Sequence, residues 1–488
     1  MKKLMIFFSG IIIVAGVGCK KDYLDINHNP NNATNTTPEL VLPNALNVTA
    51  TRQIISYTFI SGWMGYWAVS GSYALNTSDF STYKQTTDFG DGLWRNIYDN
   101  LEDYEYIENA GAAQNKPFYE AAAKIMEAYE YQQLVDMFNN VPYTNALQGT
   151  SQILPTYDKA QDIYDSLMVN LNAAVALMAR SDAQASASSD FLFGGDTQLW
   201  RQFANTLRLR ILLRQSQIGR DSYIQGELDK IVAEGSGFLE QDAAVDPGYI
   251  NSDGKMNPFY DFCFNSTGTY TQDFWRANQY YIDFDKANDD PRYKYVYQPT
   301  QSNDTVYAGV YLGQSTNALV GTASSRFGPG VLKSFDQSAV ILSAAESYFL
   351  QAEAVIRGWI SGDAGTLYQN GVQASFSYLG AGDASTYLSQ AGNANVYWDE
   401  SQSSAYKLAL IIRQKWAAMN TVTPFEAWAD YRRLHLPANI PLSQSPYVDV
   451  AAIPLRIVYP TVEYLTNAAN VGAEGEINQH TDKVFWMP

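Results

Sequence analysis

The sequence is poor in the residue types on which disulfide scaffolds and most zinc sites depend. It has two cysteines and three histidines in 488 residues. Two cysteines cannot build a disulfide framework or a cysteine-based zinc site. The histidines, His28, His435 and His480, lie far apart and lack the spacing of a helical metal site. We therefore predict no cofactor, no metal ligands and no histidine-based triad. One Asp/Asn-rich stretch, residues 288–290, leaves a structural calcium open, although the chain has no EF-hand loop.

Charge is also scarce, and one sign predominates. Charged residues make up 17% of the chain, against roughly 25% in an average soluble protein. The formal net charge is −18. Such an acidic surface repels phosphate backbones, which excludes nucleic acid as a partner class. Beyond the N-terminus, no apolar run reaches the roughly 20 residues that a membrane span needs.

Aromatic residues, in contrast, are abundant, at 14% of the chain with tyrosine the commonest. A tyrosine ring has an apolar face and a polar tip, so it suits both packing and half-exposed binding surfaces. Most of these rings must serve the core and the contacts between helices.

The N-terminus has the pattern of a secretory signal. Two lysines precede a short apolar segment, and small residues then lead to Cys19. This arrangement resembles a bacterial lipobox, in which the cysteine is acylated after cleavage. We predict a lipoprotein signal peptide at 1–18, a lipid anchor on Cys19 with a tether over 19–45, and one domain over 46–488. The alternative is an ordinary signal peptide with a chance cysteine.

Beyond the tether, apolar residues recur with the helical period of 3.6. The clearest predicted helices are 118–138, 344–359, 406–418 and 424–434, with apolar stripes over 160–178 and 199–212. Alanines at contact spacing, such as Ala121, Ala128 and Ala352, allow helices to approach closely. Long Gly/Ser/Tyr/Asn-rich segments at 61–91, 235–281, 297–329 and 380–404 separate the helices, and loops of this length are usually functional.

Four stretches, in the same order along the chain, resemble one bacterial family. They are residues 19–25, 343–354, 412–433 and 454–463. The first includes Asp-Tyr-Leu-Asp after the cysteine, the second an Ala-Glu-Ala helix, the third ends in Trp-Ala-Asp-Tyr-Arg-Arg, and the fourth contains Arg-Ile-Val-Tyr-Pro. Together they resemble the SusD/RagB family of outer-membrane nutrient-binding lipoproteins of Bacteroidota. Residues 194–210 are similar to its SusD-like 2 subgroup.

The resemblance implies a mainly α fold of tetratricopeptide-like helical pairs in a single SusD-like domain, with long irregular loops and minor β-hairpins. It implies a lipid-anchored protein exposed at the cell surface on the outer membrane. Such a protein binds an oligosaccharide or polysaccharide nutrient and delivers it to a SusC-type TonB-dependent transporter. It is not an enzyme. A peptide-binding RagB-type member is the alternative within the family.

The residues that carry the resemblance are interpreted mainly as structural. Glu346 and Glu353 are seven residues apart on one helix face, which could mimic a pair of catalytic carboxylates. Hydrogen bonds to neighbouring repeats are the preferred interpretation. For Asp430 with Arg432 and Arg433, and for Arg456 with Glu463, we expect ion pairs that join elements of the fold.

Ligand binding is predicted in the aromatic, amide-rich loops. A pyranose ring lies well on an aromatic plane, and its hydroxyls need amide, carboxylate or guanidinium partners. Two loop segments have that composition, one near residue 70 and one near residue 275. The predicted ligand-binding residues are Trp67, Tyr73, Asn76, Asp79, Tyr270, Trp275, Arg276 and Tyr280. Of these, Tyr73 and Trp275 are expected to be exposed, whereas Trp63 and Tyr66 fit either the binding surface or the core.

Two other classes of function are compatible with the composition. A lipid-anchored glycoside hydrolase would need two carboxylates about 5–10 Å apart beside an aromatic subsite. A purely structural scaffold for a transporter would neither bind nor hydrolyse sugar.

Overall fold

Helices are the main secondary structure of the fold, as the periodicity and the family resemblance predict. The structure is a computed structural model that describes residues 36–73 and 77–488. The first helices are α1 Pro38–Ile55, α2 Thr58–Trp63, α3 Asp79–Thr82, α4 Asp91–Ala113, α5 Pro117–Phe138, α6 Ala160–Met178, α7 Thr197–Arg214, α8 Asp221–Glu234 and α9 Pro258–Cys263. The remaining helices are α10 Gln279–Ala287, α11 Tyr293–Val296, α12 Ala344–Ile356, α13 Ala364–Leu379, α14 Ser385–Leu388, α15 Ser404–Met419, α16 Pro424–Leu434, α17 Thr461–Thr466 and α18 Ala468–Ala473.

The predicted helices are confirmed with small changes at their ends. The helix expected over 118–138 is α5, and the one expected over 424–434 is α16 with the same bounds. The helix expected over 344–359 is α12, which ends at Ile356. It stops there because Gly358 adopts a φ of 72°, a left-handed conformation that glycine accommodates without a side-chain clash.

Consecutive helices pack on one another, which is the helical-pair arrangement that the resemblance implies. Along the chain α4 packs on α5, α5 on α6 and α6 on α7, while α12 packs on α13 and both contact α15. Small residues permit these approaches: Ala121, Ala128 and Ala352 are all buried. Residues Pro38–Pro488 form one compact unit, and α1 makes residues 38–45 of the predicted tether helical.

The predicted minor β-structure consists, in the described residues, of three two-stranded antiparallel sheets. The strands are β1 Trp67–Val69, β2 Val141–Pro142, β3 Tyr157–Asp158, β4 Ala243–Val245, β5 Trp275–Ala277 and β6 Ala339–Leu342. Only β2 and β3 are close in sequence. β1 pairs with β5 and β4 with β6, so these two sheets join distant loops instead of forming hairpins.

Helix α5 lies in the centre of the fold and is buried around most of its circumference. Its polar side chains therefore need partners, because a buried polar group without one is costly. Glu130 forms an ion pair with Arg52 of α1 and accepts a hydrogen bond from Thr49 at 2.5 Å. Asp136 accepts hydrogen bonds from Trp486 Nε1 at 2.6 Å and from the Arg214 guanidinium at 3.1 Å.

A buried network of ion pairs continues from Asp136 across α7, α12, α15 and α16. Arg214 also binds Glu426 at 2.6 Å, and Arg210 lies 2.9 Å from Glu346. Lys415 lies 2.8 Å from Asp430. All of these groups are almost completely buried. The network thus ties together helices that are far apart in the sequence.

Both Glu346 and Glu353 have structural positions, but the expected hydrogen bond to a neighbouring helix is found only for Glu353, which accepts from Arg433. In the described chain the oxygens of Glu346 accept none. Glu346 is buried beside Arg210 and Glu353 is buried against Arg433, so neither carboxylate faces solvent or a substrate. Asp430 forms the expected ion pair with Arg433 at 2.8 Å.

Two of the expected ion pairs are wrong. Arg432 contacts no carboxylate of the described chain in an ion pair. Instead its guanidinium lies 3.4 Å from the ring centre of Trp428 and donates to the Leu455 carbonyl. Arg456 donates to the Phe138 carbonyl. Glu463 instead accepts a hydrogen bond from Tyr157 at 2.8 Å. In both places the arginine donates a hydrogen bond to a backbone carbonyl instead of pairing with the carboxylate that the sequence pattern indicated.

Three predictions lie outside the described residues. These are the signal peptide at 1–18, the anchor Cys19 and the predicted ligand residue Asn76. In the described part of the chain, Cys263 is a buried free thiol. Across residues 36–73 and 77–488, none of the helices has both the length and the apolar composition required to cross a membrane.

Candidate functional site

The sheet formed by β1 and β5 joins the two loop segments in which ligand binding is predicted. Trp67 lies opposite Ala277, and Val69 lies opposite Trp275. The composition of the two segments therefore indicated regions that are distant in sequence and adjacent in space. Most of their aromatic rings, however, pack between the strands and the helices beneath them.

Trp67 is a core residue in the structure. Its ring is 1% exposed and lies 4.6 Å from the ring of Phe327, and its indole nitrogen donates to Thr421 at 3.0 Å. Trp63 and Tyr66, for which both interpretations were open, are completely buried. The expectation that Trp275 is exposed is wrong. Its ring is 6% exposed because it packs 5.4 Å from Phe80 and 5.9 Å from Trp67.

Arg276 is also buried, and it holds a loop together. Its guanidinium donates to the carbonyls of Gln272, at 2.8 Å, and Gly321, at 3.3 Å, and to the Asp273 carboxylate at 2.8 Å. Asp79 accepts hydrogen bonds from the backbone and hydroxyl of Thr86, so it orders the turn after α3. Both side chains are already occupied by partners within the chain.

Tyr270, half-buried, lies under the guanidinium of Arg326 at 4.4 Å from its ring centre. Tyr73 is exposed as expected, at 42%, and its ring contacts Phe274 at 5.3 Å. Tyr73 follows the end of β1, whereas Tyr280 follows the end of β5. Because the two strands are antiparallel, these two tyrosines lie beyond opposite ends of the sheet. The predicted residues that the structure describes therefore do not converge on one site.

Tyr280 lines a cleft of about 240 Å³ that has the composition expected for a sugar site. Helix α10 supplies Tyr280, Asp283 and Phe284, and helix α15 supplies Arg413 and Trp416. Residues three and four apart on a helix share one face, which is why each helix presents its set together. Asn395 and the segment 437–439 complete the lining. We call this the Tyr280 cleft.

The aromatic residues of the Tyr280 cleft support one another. Trp416 is buried, with its ring centre 5.6 Å from Tyr280 and 5.2 Å from Phe284, both in edge-to-face geometry. Its indole nitrogen donates to the Met64 carbonyl at 2.9 Å, which fixes the ring. Gly65 allows Tyr280 to pack closely, since a Cβ at Gly65 would lie 3.0 Å from the tyrosine ring. The tyrosine is therefore positioned before any ligand arrives.

Polar groups of both signs line the same cleft. Asp283 is exposed and accepts a hydrogen bond from Gln279 at 2.6 Å. Arg413 is half-buried and donates to the Ala394 carbonyl at 3.3 Å. Burial raises the pKa of Tyr280 and the nearby Arg413 partly opposes that rise, so the phenol stays protonated and can donate. The amide of Asn439 is exposed at the rim.

Of the residues that line this cleft, the sequence predicted only Tyr280 and missed the others, among them Asp283, Arg413 and Trp416. The spacing of Tyr280, Asp283 and Phe284 on one face of α10 was a usable signal. Nothing local indicated that α15, which lies much further along the chain, lines the same cleft. No group of three or more His, Cys, Asp or Glu side chains that could hold a metal ion occurs in the described residues. In the Asp/Asn-rich stretch, the Asp290 carboxylate is bound by Arg292 at 2.6 Å.

A family model, SusD-like 2, described as starch-binding and associating with the outer membrane, matches residues 30–460. The chain belongs to this family. No curated protein sequence matches the chain.

Solved structures of SusD homologues have the same fold. A chitin-binding SusD homologue from Flavobacterium johnsoniae superposes with a TM-score of 0.77 at 24% identity, covering 91% of this chain and 98% of its own. An outer-membrane protein from Bacteroides vulgatus connected with nutrient binding has a TM-score of 0.76 at 25% identity. The match covers 93% of this chain and 100% of that protein. A SusD-like protein from Bacteroides thetaiotaomicron has a TM-score of 0.76 at 24% identity, covering 92% and 98%.

Proposed function

We propose that this SusD-like protein is a cell-surface lipoprotein that binds oligosaccharide in the Tyr280 cleft and delivers it to a SusC-type TonB-dependent transporter. The proposal rests on one observation. The packed aromatic rings of the Tyr280 cleft lie beside Asp283, Arg413 and side-chain amides in the same lining. The starch-binding description of the family and the chitin-binding homologue support a glycan as the ligand.

The chemistry of the cleft suits a sugar better than a flat apolar ligand. The C–H face of a pyranose packs on an aromatic plane, and Tyr280 offers a half-buried ring for that contact. Sugar hydroxyls both donate and accept hydrogen bonds, and the rim offers a carboxylate, a guanidinium and amides. The cost of removing these polar groups and the sugar hydroxyls from water offsets much of the free energy gained from their contacts, so we expect modest affinity.

Tyr73, the exposed tyrosine beyond the other end of the β1–β5 sheet, is a second contact for a long glycan in this proposal. Its ring packs on Phe274, which limits the side-chain entropy lost on binding. Trp67, Trp275 and Arg276 act by holding the intervening sheet in shape.

Membrane attachment and the transporter partner rest on the sequence. The small residues before Cys19 favour lipidation, and several acyl chains on one cysteine would anchor the protein far better than one. Delivery requires a partner that accepts the sugar, and the family resemblance favours a TonB-dependent transporter of the SusC type. Co-purification of the lipidated protein with a transporter from the membrane would test that partnership directly.

The first experiment uses soluble protein, residues 20–488, against a panel of polysaccharides, oligosaccharides and peptides. Each sample is scored for retention of the protein and for release of shortened products. Retention on a glycan without product release supports the proposal. Retention on peptides alone would indicate the RagB-type alternative, and release of shortened sugars would indicate a glycoside hydrolase.

Variants then test the cleft itself. We expect Tyr280→Ala to weaken glycan binding by about 1 to 3 kcal/mol, on the order of ten- to a hundred-fold. Tyr447→Ala is the matched control, because Tyr447 is 57% exposed and lies outside the cleft. Equal affinity of wild type and Tyr280→Ala for the retained glycan would contradict this assignment of the site.

A further inference from the structure

A second pocket, of about 520 Å³, lies between α6, α7 and α8 and shares no lining residue with the Tyr280 cleft. Its charged lining residues are Arg201, Arg208, Lys230 and Glu234. We call it the Arg208 pocket. Arg201 is paired with Glu234 and Lys230 with Glu227, which leaves Arg208 to be accounted for.

Arg208 has the least satisfied guanidinium of this group. Its side chain is 1% exposed. Nη1 donates to the Asn205 side chain at 2.8 Å, whereas Nε is buried and has no hydrogen-bond partner in the described chain. No ion pair joins Arg208 to a carboxylate among the described residues. A buried charge without a counter-charge is costly, so an external anion that supplied one would be bound favourably.

The other buried arginines of the same helix differ in this respect. Arg210 lies 2.9 Å from Glu346, and Arg214 binds Asp136 and Glu426. Burial lowers the pKa of Arg208 to about 10, and the more distant Glu227 and Glu234 only partly offset that effect. The guanidinium therefore remains protonated at neutral pH.

The carboxylates near the pocket are already occupied. Glu234 accepts hydrogen bonds from Arg201 at 2.6 Å, from Asn205 at 2.7 Å and from the Ser236 backbone at 3.0 Å. Glu227 accepts from Lys230 at 2.5 Å and from Asn172 at 3.0 Å. Neither carboxylate can move to Arg208 without abandoning these partners.

We propose that the Arg208 pocket binds an oxyanion, either a carboxylate or a sulfate group, with Arg208 as the principal donor. This is a binding site additional to the Tyr280 cleft and does not depend on it. The anion is either part of an acidic sugar or a free inorganic ion. Both sources present the same oxygen acceptors to the guanidinium.

The test is titration calorimetry on soluble protein, residues 20–488, at constant ionic strength. The probes are sodium sulfate, sodium glucuronate and glucose as the uncharged match for glucuronate. We expect saturable binding of the anions in the roughly millimolar range and none of glucose at this site. Tighter binding of glucuronate than of sulfate indicates an acidic sugar as the source, and equal or weaker binding indicates a free anion.

Two variants connect the signal to the pocket. Arg208→Lys keeps the positive charge but removes the guanidinium donors, and we expect affinity to fall at least about tenfold. Ala176→Glu places a carboxylate on an exposed lining position of α6 without touching Arg208. Ala176→Glu should abolish anion binding and leave the fold intact. If Arg208→Lys does not fold, this variant still tests whether the anion binds in the Arg208 pocket.

Val169→Glu is the control with the same change in net charge. Val169 is 66% exposed on α6 and does not line the pocket. Anion binding should survive in this variant. The proposal is overturned if wild type shows no saturable anion binding, if Ala176→Glu binds as wild type does, or if Val169→Glu loses as much affinity as Ala176→Glu.

Discussion

Arg433 and Glu353 form a two-pronged ion pair in the interior of the protein: Nη1 lies 2.5 Å from Oε1, and Nη2 lies 2.7 Å from Oε2. Arg433 also binds Asp430 of its own helix at 2.8 Å. The pair joins α12 to α16, two helices that carry the motifs by which the family resemblance was identified. The motif residues of α12 and α16 in this pair therefore maintain the helical frame.

Removing one partner of this pair should be strongly destabilising. Arg433→Met leaves the buried Glu353 without its main counter-charge, whereas Asp430 keeps its contact with Lys415 at 2.8 Å. We expect a loss of about 3 to 5 kcal/mol in the free energy of unfolding. Denaturant titration at neutral pH measures it. Arg180→Met, which breaks an exposed pair with Asp182, should leave stability nearly unchanged. Similar effects for the two variants would contradict a structural role for the buried pair.

The buried network predicts opposite pH dependences for two of its glutamates. Burial raises the pKa of Glu346 from 4.5 to about 7, whereas the cations Arg210, Arg214 and Lys415 outweigh burial and lower the pKa of Glu426 to about 2. The stability contributed by Glu346 is thus present below its unfolded pKa and is lost as pH rises through 7. That contributed by Glu426 is present above its unfolded pKa and is lost as pH falls through 2.

The matched variants are Glu346→Gln and Glu426→Gln, each compared with wild type by denaturant titration across pH. Because glutamine does not ionise, the stability of Glu346→Gln relative to wild type should increase between about pH 4.5 and pH 7. The difference between Glu426→Gln and wild type should stay nearly constant over that interval. A flat difference for Glu346→Gln would show that Glu346 is ionised normally in the fold.

Trp67 and Tyr73 were predicted as ligand residues from the same segment. Trp67 is buried and Tyr73 is exposed, so we expect different effects on stability and on ligand binding when each is replaced by alanine. Trp67→Ala should lower the free energy of unfolding by about 3 to 5 kcal/mol, because it removes a ring packed against Phe259 and Phe327. Tyr73→Ala should change stability by less than about 1 kcal/mol and should weaken binding of long glycans. Thermal unfolding together with binding of a long and a short oligosaccharide distinguishes the two roles.

Two mid-helix glycines predict opposite outcomes for the same substitution. A Cβ at Gly371 of α13 would lie 2.8 Å from the Phe349 ring of α12, so Gly371→Ala should separate this helix pair and destabilise the fold. A Cβ at Gly226 of α8 would meet nothing within 4 Å. Gly226→Ala should therefore stabilise the protein by up to about 1 kcal/mol. Thermal unfolding of both variants checks the difference in sign.

The helices could be predicted from the sequence because their signals are local. Helix α16 has Pro424 at its first position and an apolar stripe that runs to Leu434, and both ends agree with the prediction. The helices α4, α8 and α13 were not among the clearest predictions. Helices α4 and α8 carry regular apolar stripes, so a local signal was present in the sequence and was not used. Helix α13 contains two glycines, and its helical state depends more on the neighbours against which it packs.

The candidate site could be predicted only in part. Aromatic and amide composition pointed to two segments that meet as β1 and β5, and one of the predicted residues, Tyr280, lines the candidate cleft. Composition does not distinguish a ring that faces solvent from one that faces the core, which is why Trp67 and Trp275 were assigned to the surface. Arg413 and Trp416 reach the cleft from α15, and no local pattern encodes that contact.

The helical class, the acidic character, the family and the bounds of the clearest helices follow from the sequence alone, because periodicity, charge and motif order are properties of residues along the chain. The folded chain decided which charges pair, which aromatic rings are buried and which residues form the two pockets. Those outcomes depend on contacts between segments that are distant in sequence. Arg208 is the clearest instance. Glu227 and Glu234 are bound to other partners, so the fold leaves this arginine as a buried cation that faces a pocket.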